Sequence, residues 1–331
     1  MNEIQFNVPN ASDNIQFPIR LDTYAASVQG ISRSRLKTGI KSILINKKAA
    51  KLSAKLSGGE FIELTWEDPI PQDIMPQNIP LNIIYEDENV TIVNKKQGMV
   101  VHPATGNWDK TLVNALLYHW GRGTIKNTLY TEKKNTSVET TVVTQAFRPG
   151  IVHRLDKDTS GCLITAKNRN EEAWLQNRFK TRQVQKDYIC IVCGHPPKKN
   201  GSIKTQIVRD SRNRKKFTTG TDPKKGKFAH SLYHCIAIYG PYSLMRIRLK
   251  TGRTHQIRVH MKYIGCPILG DPIYGKKDSL FASATLMLHA RTLGIQLTEG
   301  DSFRIFKSPV PIRFKKVLKI LHGKYDKCTL Q

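Results

Sequence analysis

Between Gly150 and Asn168 the chain reads "GIVHRLDKDTSGCLITAKN", where His153, Arg154, Asp156, Lys157, Asp158, Thr159 and Ser160 crowd between two apolar runs. Carboxylates set among cations and hydroxyls are candidates for chemistry, as nucleophile, base or metal ligand. An Asp in a loop after an apolar strand also bonds its own nearby amides, and Asp158, Thr159 and Ser160 suit the same turn-forming work. Spacing alone leaves both readings of Asp156 open.

Several reaction classes lose support at once. The sequence has no Walker-type Gly-Lys-Ser loop, no dinucleotide glycine fingerprint, no Gly-x-Ser-x-Gly elbow and no His-Glu-x-x-His helix. Nucleotide-driven, redox and zinc-hydrolase chemistries are therefore disfavoured, and no cofactor or metal is expected. Cys190 and Cys193 in "YICIVCGH" have metal spacing, but their run is apolar and β-branched, and strand positions three apart face opposite sides. They read as core cysteines.

Charge points to the partner. Lys and Arg number 53 against 26 Asp and Glu, a net charge of +27 over 331 residues, with a pI near 9.9. Such a surplus repels itself, and a polyphosphate relieves that repulsion in a salt-dependent way. A basic enzyme without a nucleic-acid role is the blander alternative. The six cysteines are few, the start "MNEIQFNVPN" lacks a signal-like pattern, and no apolar run approaches a membrane span. A reduced, soluble, cytoplasmic monomer is expected.

The elements that must position the motif divide at a proline-rich stretch. "EDPIPQDIMPQNIP", residues 67–80, reads as an extended connector between a small basic domain at 18–66 and a larger domain at 81–320. In the small domain Ser32 is a helix cap that would place Arg33, Arg35, Lys37 and Lys41 on a short helix, followed by strands around a Lys47–Lys48 turn. In the larger one, "LNIIYEDENVTIVN" reads as a hairpin, Asp109 or Thr111 caps a helix carrying Leu112, Leu116 and Trp120, and "NRNEEAWLQNRFK" reads as a second helix. Residues 121–147 read as a long surface loop, and 194–230, with its many Lys and Arg, as basic loops between short strands. "LMRIRLK" reads as a strand and "HQIRVHMKYI" as a helix.

Six segments occur together and in order: "VNKKQGMVVHP", "HRLDKDTSG", "KDYICIVCG", "TGRTHQIRVHM", "LGDPIYG" and "LMLHARTLGI". As a set they resemble the RluA/RluD-type pseudouridine synthases over most of residues 81–315. The basic N-terminal stretch resembles the RNA-binding domain first seen in ribosomal small-subunit protein four, the alpha-L motif. Together the layout is similar to the large-ribosomal-subunit branch of the family. Two departures stand out: Lys96 replaces the proline usual after Asn-Lys, and the 121–147 insertion is long.

The resemblance implies an α+β catalytic domain with a mixed, mainly antiparallel sheet and a central cleft, beside a small α/β RNA-binding domain. It implies an isomerase that needs no cofactor, with large-subunit ribosomal RNA as partner. Asp156 would be the catalytic carboxylate, as nucleophile or base, with Tyr188 stacking on the flipped uracil and Arg258 paired to Asp156. Arg154 would fill the space the nucleotide leaves, or contact a phosphate. His153, Arg253, Arg33, Arg35, Lys37, Lys47 and Lys48 are further RNA-binding candidates, although His153 suits loop structure as well. Thr159, Ser160 and Gly161 would shape the active-site loop. Three rivals remain: a synthase acting on transfer RNA, a non-catalytic RNA-binding or assembly factor, and a metal-dependent nuclease using the Asp cluster.

Overall fold

The computed structural model describes residues 2–10, 17–31, 36, 39–66, 73–104, 107–125, 130–132, 141–143, 150–210, 213, 216–220, 222, 225–325 and 327–328. The chain divides into two compact units, Met1–Gln72 and Asp73–Gln331.

In the first unit β1 (Asn2–Asn7), β6 (Phe61–Trp66), β3 (Ile40–Ile45) and β4 (Lys48–Ala49) form one antiparallel sheet in that order. A small pair, β2 (Ile19–Arg20) and β5 (Lys55–Leu56), and a helix at Leu21–Ser27 complete it. Along β6 every second side chain, Ile62, Leu64 and Trp66, is buried against Leu21, Tyr24 and Leu36. That is the period-two signature of a half-buried strand. Asn46 and Lys47 both take positive φ, 51° and 62°, which matches the right-handed twist between β3 and β4. The Asn46 Oδ1 accepts the Phe61 N–H at 2.8 Å and braces the turn. Three expectations need adjusting. The unit starts before residue 18, because β1 pairs with β6 along its whole length. Lys41 lies on β3 and not on a helix, since the β-branched run Ile40–Ile45 continues the sheet. Arg33, Arg35 and Lys37 lie outside the described residues.

The second unit is α+β. Its main sheet runs β14 (Phe217–Gly220), β13 (Asn200–Arg209), β15 (Lys227–Tyr239), β16 (Tyr242–Leu249), β12 (Gln185–Cys193), β17 (Leu288–Ile295), β11 (Ser160–Ala166), β8 (Val90–Lys95) and β7 (Ile83–Glu86). To it β18 (Arg304–Lys307) adds on β17, and β19 (Lys327–Cys328) on β15. All pairings are antiparallel among the described residues except one. β11 and β17 run parallel and are joined only at Ser160–His289 and Gly161–Ala290. This short seam divides the sheet, and the cleft opens beside it.

Helices cover the sheet with stripes of apolar side chains. Ile312–Lys324 buries Phe314, Val317 and Leu321, an i, i+3, i+7 stripe in which each residue contributes about 1.5–3 kcal/mol. Leu112–His119 starts at a capping box, in which Thr111 accepts the Asn114 N–H while Asn114 accepts the Thr111 N–H. Arg169–Lys180 is capped by Asn168, with Glu171 and Glu172 in its first turn and Arg178 and Lys180 in its last, which suits the helix dipole.

Three expectations for this unit also change. Residues 73–80 are not a free connector: Ile74 is buried in the main core and bridges Ile125. Within 121–147 the described backbone forms a short hairpin, β9 (Tyr130–Glu132) with β10 (Thr141–Val143). Much of 194–230 is long strand and not loop. On β13 Ile203 and Ile207 are buried while Lys204 is exposed, and β14 lies at the sheet edge, where cations are tolerated and discourage edge pairing. The density of charge hid the alternation there.

Candidate active site

The loop Val152–Thr159 leads into β11 and is held at nearly every residue. Leu155 is buried in the main core, and Thr159 N–H bonds the Asp156 carbonyl across a tight turn. The Lys157 carbonyl accepts from both the Gly98 N–H and the Lys95 ammonium. Lys95 is itself 1% exposed and donates also to the Lys96 and Met99 carbonyls, so its three donors meet three acceptors. Burial pulls its pKa down to about 7. Ser160 and Gly161 are not loop residues. They open β11 at the seam, where Ser160 Oγ bonds His289 Nδ1 at 2.9 Å and receives Arg313 Nη2 at 2.7 Å. A Cβ at Gly161, whose φ is +118°, would stand 2.2 Å from the Ala290 carbonyl oxygen, so only glycine lets the strands approach. The Thr159 hydroxyl is buried without a hydrogen bond among the described groups, so that residue shapes the turn through its backbone alone.

His153 belongs to the fold. Its Nε2 accepts the Ile164 N–H at 3.0 Å and its ring stacks on Phe179 at 4.4 Å. Burial pushes its pKa down to about 3, and the charge of Lys186 adds to that, so the ring is neutral and its Nε2 is not available to RNA. Arg154, by contrast, is exposed at the rim of the cavity.

That cavity holds about 510 Å³ and is lined by Asp156, Tyr188 and Arg258 among others. Three segments distant in sequence thus meet: the loop, β12 and the helix Gln256–Tyr263. The Asp156 side chain is 23% exposed, open to the cavity yet largely enclosed. Tyr188 is 8% exposed, and its hydroxyl is held protonated well above the ordinary range, first by burial and then by the charge of Asp156.

Arg258 reaches two carboxylates, Asp156 and Asp271. Its Nη1 lies 3.6 Å from Asp156 Oδ2, a loose ion pair, while Nε and Nη2 form a two-pronged pair with Asp271 at 2.8 and 2.7 Å. A guanidinium has a planar fork, and Asp271 occupies it fully because its carboxylate is already fixed by the Ile273 and Tyr274 amides. Burial works against the charge on both partners, but the pairing outweighs it, so Arg258 stays above and Asp271 below its ordinary pKa. Asp271 sits in the "LGDPIYG" segment, and two prongs on a buried arginine were not legible from that motif's spacing.

Two neighbours in "TGRTHQIRVHM" were also not singled out. His255, in the left-handed region at φ 56°, brings Nε2 to 3.9 Å from Asp156 Oδ2 and bonds Tyr274 Oη through Nδ1 at 2.9 Å. Burial lowers its pKa and Asp156 opposes that shift. Gln256 is buried and its side chain makes four bonds. It accepts from Thr251 Oγ1 and the Arg253 N–H, and donates to the His230 carbonyl and Ser231 Oγ. This fixes the turn carrying Arg253, whose Nε donates to the Phe228 carbonyl while the residue lines the cavity. Lys47 and Lys48 lie in the first unit, on the turn and on β4. Among the described residues no three His, Cys, Asp or Glu side chains gather as a metal-binding group.

The family model described as RNA pseudouridylate synthase matches residues 89–263, which include Asp156, Tyr188 and Arg258. The chain is 42% identical over 303 residues to the ribosomal large subunit pseudouridine synthase D of Borreliella burgdorferi, covering 89% of this chain and 87% of that protein. It is 40% identical over 287 residues to the protein of the same name in Zymomonas mobilis, covering 83% and 85%. Identity is 35% to the chloroplastic RNA pseudouridine synthase 2 of Oryza sativa, over 88% of this chain and 77% of that one. Among solved structures, human RNA pseudouridylate synthase domain containing 1 shares the fold with a TM-score of 0.56 at 24% identity, covering 76% of this chain and 90% of that chain.

Proposed function

Because the chain belongs to the RNA pseudouridylate synthase family, we propose that it isomerises uridines of large-subunit ribosomal RNA through the carboxylate of Asp156. The observation that carries this reading is the meeting of Asp156, Tyr188 and the Asp271-anchored Arg258 around one cavity. The reaction breaks the bond from ribose C1′ to uracil N1, turns the base and joins C1′ to C5. The C5 proton leaves and N1 gains one, so composition is unchanged.

Asp156 acts ionised, as nucleophile or as base, with Arg258 and His255 beside Oδ2 to hold it. Arg258 cannot swing freely to neutralise it, because Asp271 holds the guanidinium. Tyr188 offers its ring to the flipped base. As its hydroxyl stays protonated, that oxygen takes the C5 proton only while giving up its own. Arg154 at the rim suits a guanidinium stacked among the bases around the extruded nucleotide. The names of the Borreliella and Zymomonas relatives support the ribosomal substrate. Residues 18–66 of the first unit, nine Lys or Arg against three Asp or Glu in a sequence that resembles the alpha-L motif, would add affinity by tethering.

The test is to incubate wild-type and Asp156→Asn protein with unmodified ribosomal RNA and with transfer RNA, without added metal and with chelator, and to map pseudouridine by chemical labelling and primer extension. Stops in ribosomal RNA from wild type alone are expected. Stops in transfer RNA alone would shift the substrate. Shortened, chelator-sensitive products would replace the reading with a nuclease, and binding without stops from either protein would replace it with an RNA-binding factor.

A further inference from the structure

Two residues on the wall of the active-site cavity break local rules. Arg182 follows the helix Arg169–Lys180 with φ at +63°, where the chain closes on itself through Arg182 N–H to Phe179 O and Gln183 N–H to Arg178 O. That helix-ending position favours glycine or asparagine, and a side chain with a Cβ there is strained. Lys186 is half-buried on β12, two residues before Tyr188, and its ammonium makes no ion pair or hydrogen bond among the described residues. Its ammonium rests against Gly252, where an added Cβ would lie 3.4 Å away, and stands 5.9 Å from the Phe179 ring.

The surroundings of Lys186 are cationic. A neighbouring cavity of about 560 Å³ shares Phe179, Arg182, Lys186, Leu249 and Lys250 with the active-site cavity. Among the residues lining the two, Asp156 is the sole carboxylate. Burial lowers the pKa of Lys186, and the charges of Arg182 and Arg253 lower it further. Proteins rarely leave a sheltered cation without a counterion, and they rarely place an arginine where glycine is preferred. Where both occur side by side, the surface is complementary to an anion.

We infer that Lys186, Arg182 and Arg253 form the seat of one backbone phosphodiester of the substrate RNA, next to the nucleotide presented to Asp156. This rests on the synthase reading. On a strand, positions two apart share a face, so Lys186 and Tyr188 present a cation and a ring to the same nucleotide neighbourhood. The phosphate fixes the register of the strand while Tyr188 takes the base. Arg182 and Arg253 then add affinity only if the anion is there to separate three like charges.

The test uses the full chain as wild type, Lys186→Met, Lys186→Arg and Arg182→Gly. Filter binding to unmodified large-subunit ribosomal RNA across a salt series is compared with phosphate-ethylation interference and with melting of the RNA-free protein. Lys186→Met should bind about 10-fold to 100-fold more weakly, with the log–log salt slope shallower by about 0.7–0.9, as for one lost phosphate contact. It should also erase interference at one ethylated phosphate, and the free variant should melt higher than wild type. Lys186→Arg should restore the salt slope and the interference. Arg182→Gly should melt no lower than wild type and still bind more weakly. An unchanged slope with an unchanged interference pattern, or a lower melting temperature for Lys186→Met, would overturn the inference. Binding is read without turnover, so a failed synthase reading and a failed phosphate seat are told apart.

Discussion

Replacing Asp271 by asparagine puts the geometry around Arg258 under direct strain. The wild-type carboxylate takes Arg258 Nε and Nη2 at 2.8 and 2.7 Å and two backbone amides at 2.9 and 3.0 Å, with the Arg258 side chain 3% and the Asp271 side chain 0% exposed. Asparagine can still accept from the amides, but its NH2 faces a guanidinium that has only donors. The buried cation loses its close partner, which costs about 3–5 kcal/mol and should lower the melting temperature by roughly 6–20 °C. Arg258 is then left with Asp156, now 3.6 Å away, and should close on it. On the proposed mechanism, an Asp156 carboxylate held in a tight fork is misplaced by about 1 Å, so turnover should fall about 100-fold. Single-turnover release of tritium from RNA labelled at uracil C5 measures this directly, at a temperature where circular dichroism shows the variant folded. The double variant Arg258→Met, Asp271→Leu separates the two effects, because it should regain stability without regaining turnover. Asparagine at 271 with turnover within about threefold of wild type would refute the claim that Asp271 positions Arg258.

Other expectations follow from the same geometry. Tyr188→Phe should keep RNA binding and lose turnover by about 100-fold or more if the hydroxyl relays the proton, which the same tritium assay reads. Gly161→Ala should destabilise the second unit by a few kcal/mol, seen as a lowered denaturant midpoint, because a Cβ has no space against Ala290. His153, His260 and His289 have pKa values near 3, 4 and 4, below the unfolded value of about 6.5, so the folded state binds fewer protons. Their contribution is complete above that unfolded value and is lost as pH falls toward 4, about 2 kcal/mol for each at pH 5, which a pH series of urea melts should show. Lys47→Glu with Lys48→Glu should weaken RNA binding and flatten its salt dependence without changing turnover at saturating RNA, if the first unit tethers.

What the sequence made legible depended on whether chemistry was written in one residue or in an arrangement. Period-two alternation placed β16, caps placed the helices at 112–119 and 169–180, and the loop around Asp156 was found by its crowd of polar side chains. β13 was missed because its alternation is diluted by exposed charge. Lys41 was misplaced because cation spacing suits helix and strand edge alike when only one face is considered. Asp271 was missed because pairing across 13 residues is a tertiary fact, although the motif containing it was in view. Arg182 takes a backbone angle that long side chains avoid, and propensity cannot foresee a position where the rule is broken.

The two-pair seam between β11 and β17 also sets an order in time. Asp156 is carried by the β11 side, while Tyr188 and Arg258 belong to the β12 side. The stitch between the sides needs His289 and Ala290 on β17 and the Arg313 side chain on Ser160. A chain emerging from a ribosome has made Asp156, Tyr188 and Arg258 long before it has made residues 288–313. Until those arrive, neither the two β11–β17 pairings nor the Arg313–Ser160 bond can form, so the seam beside the loop of Asp156 closes only once most of the chain has been made.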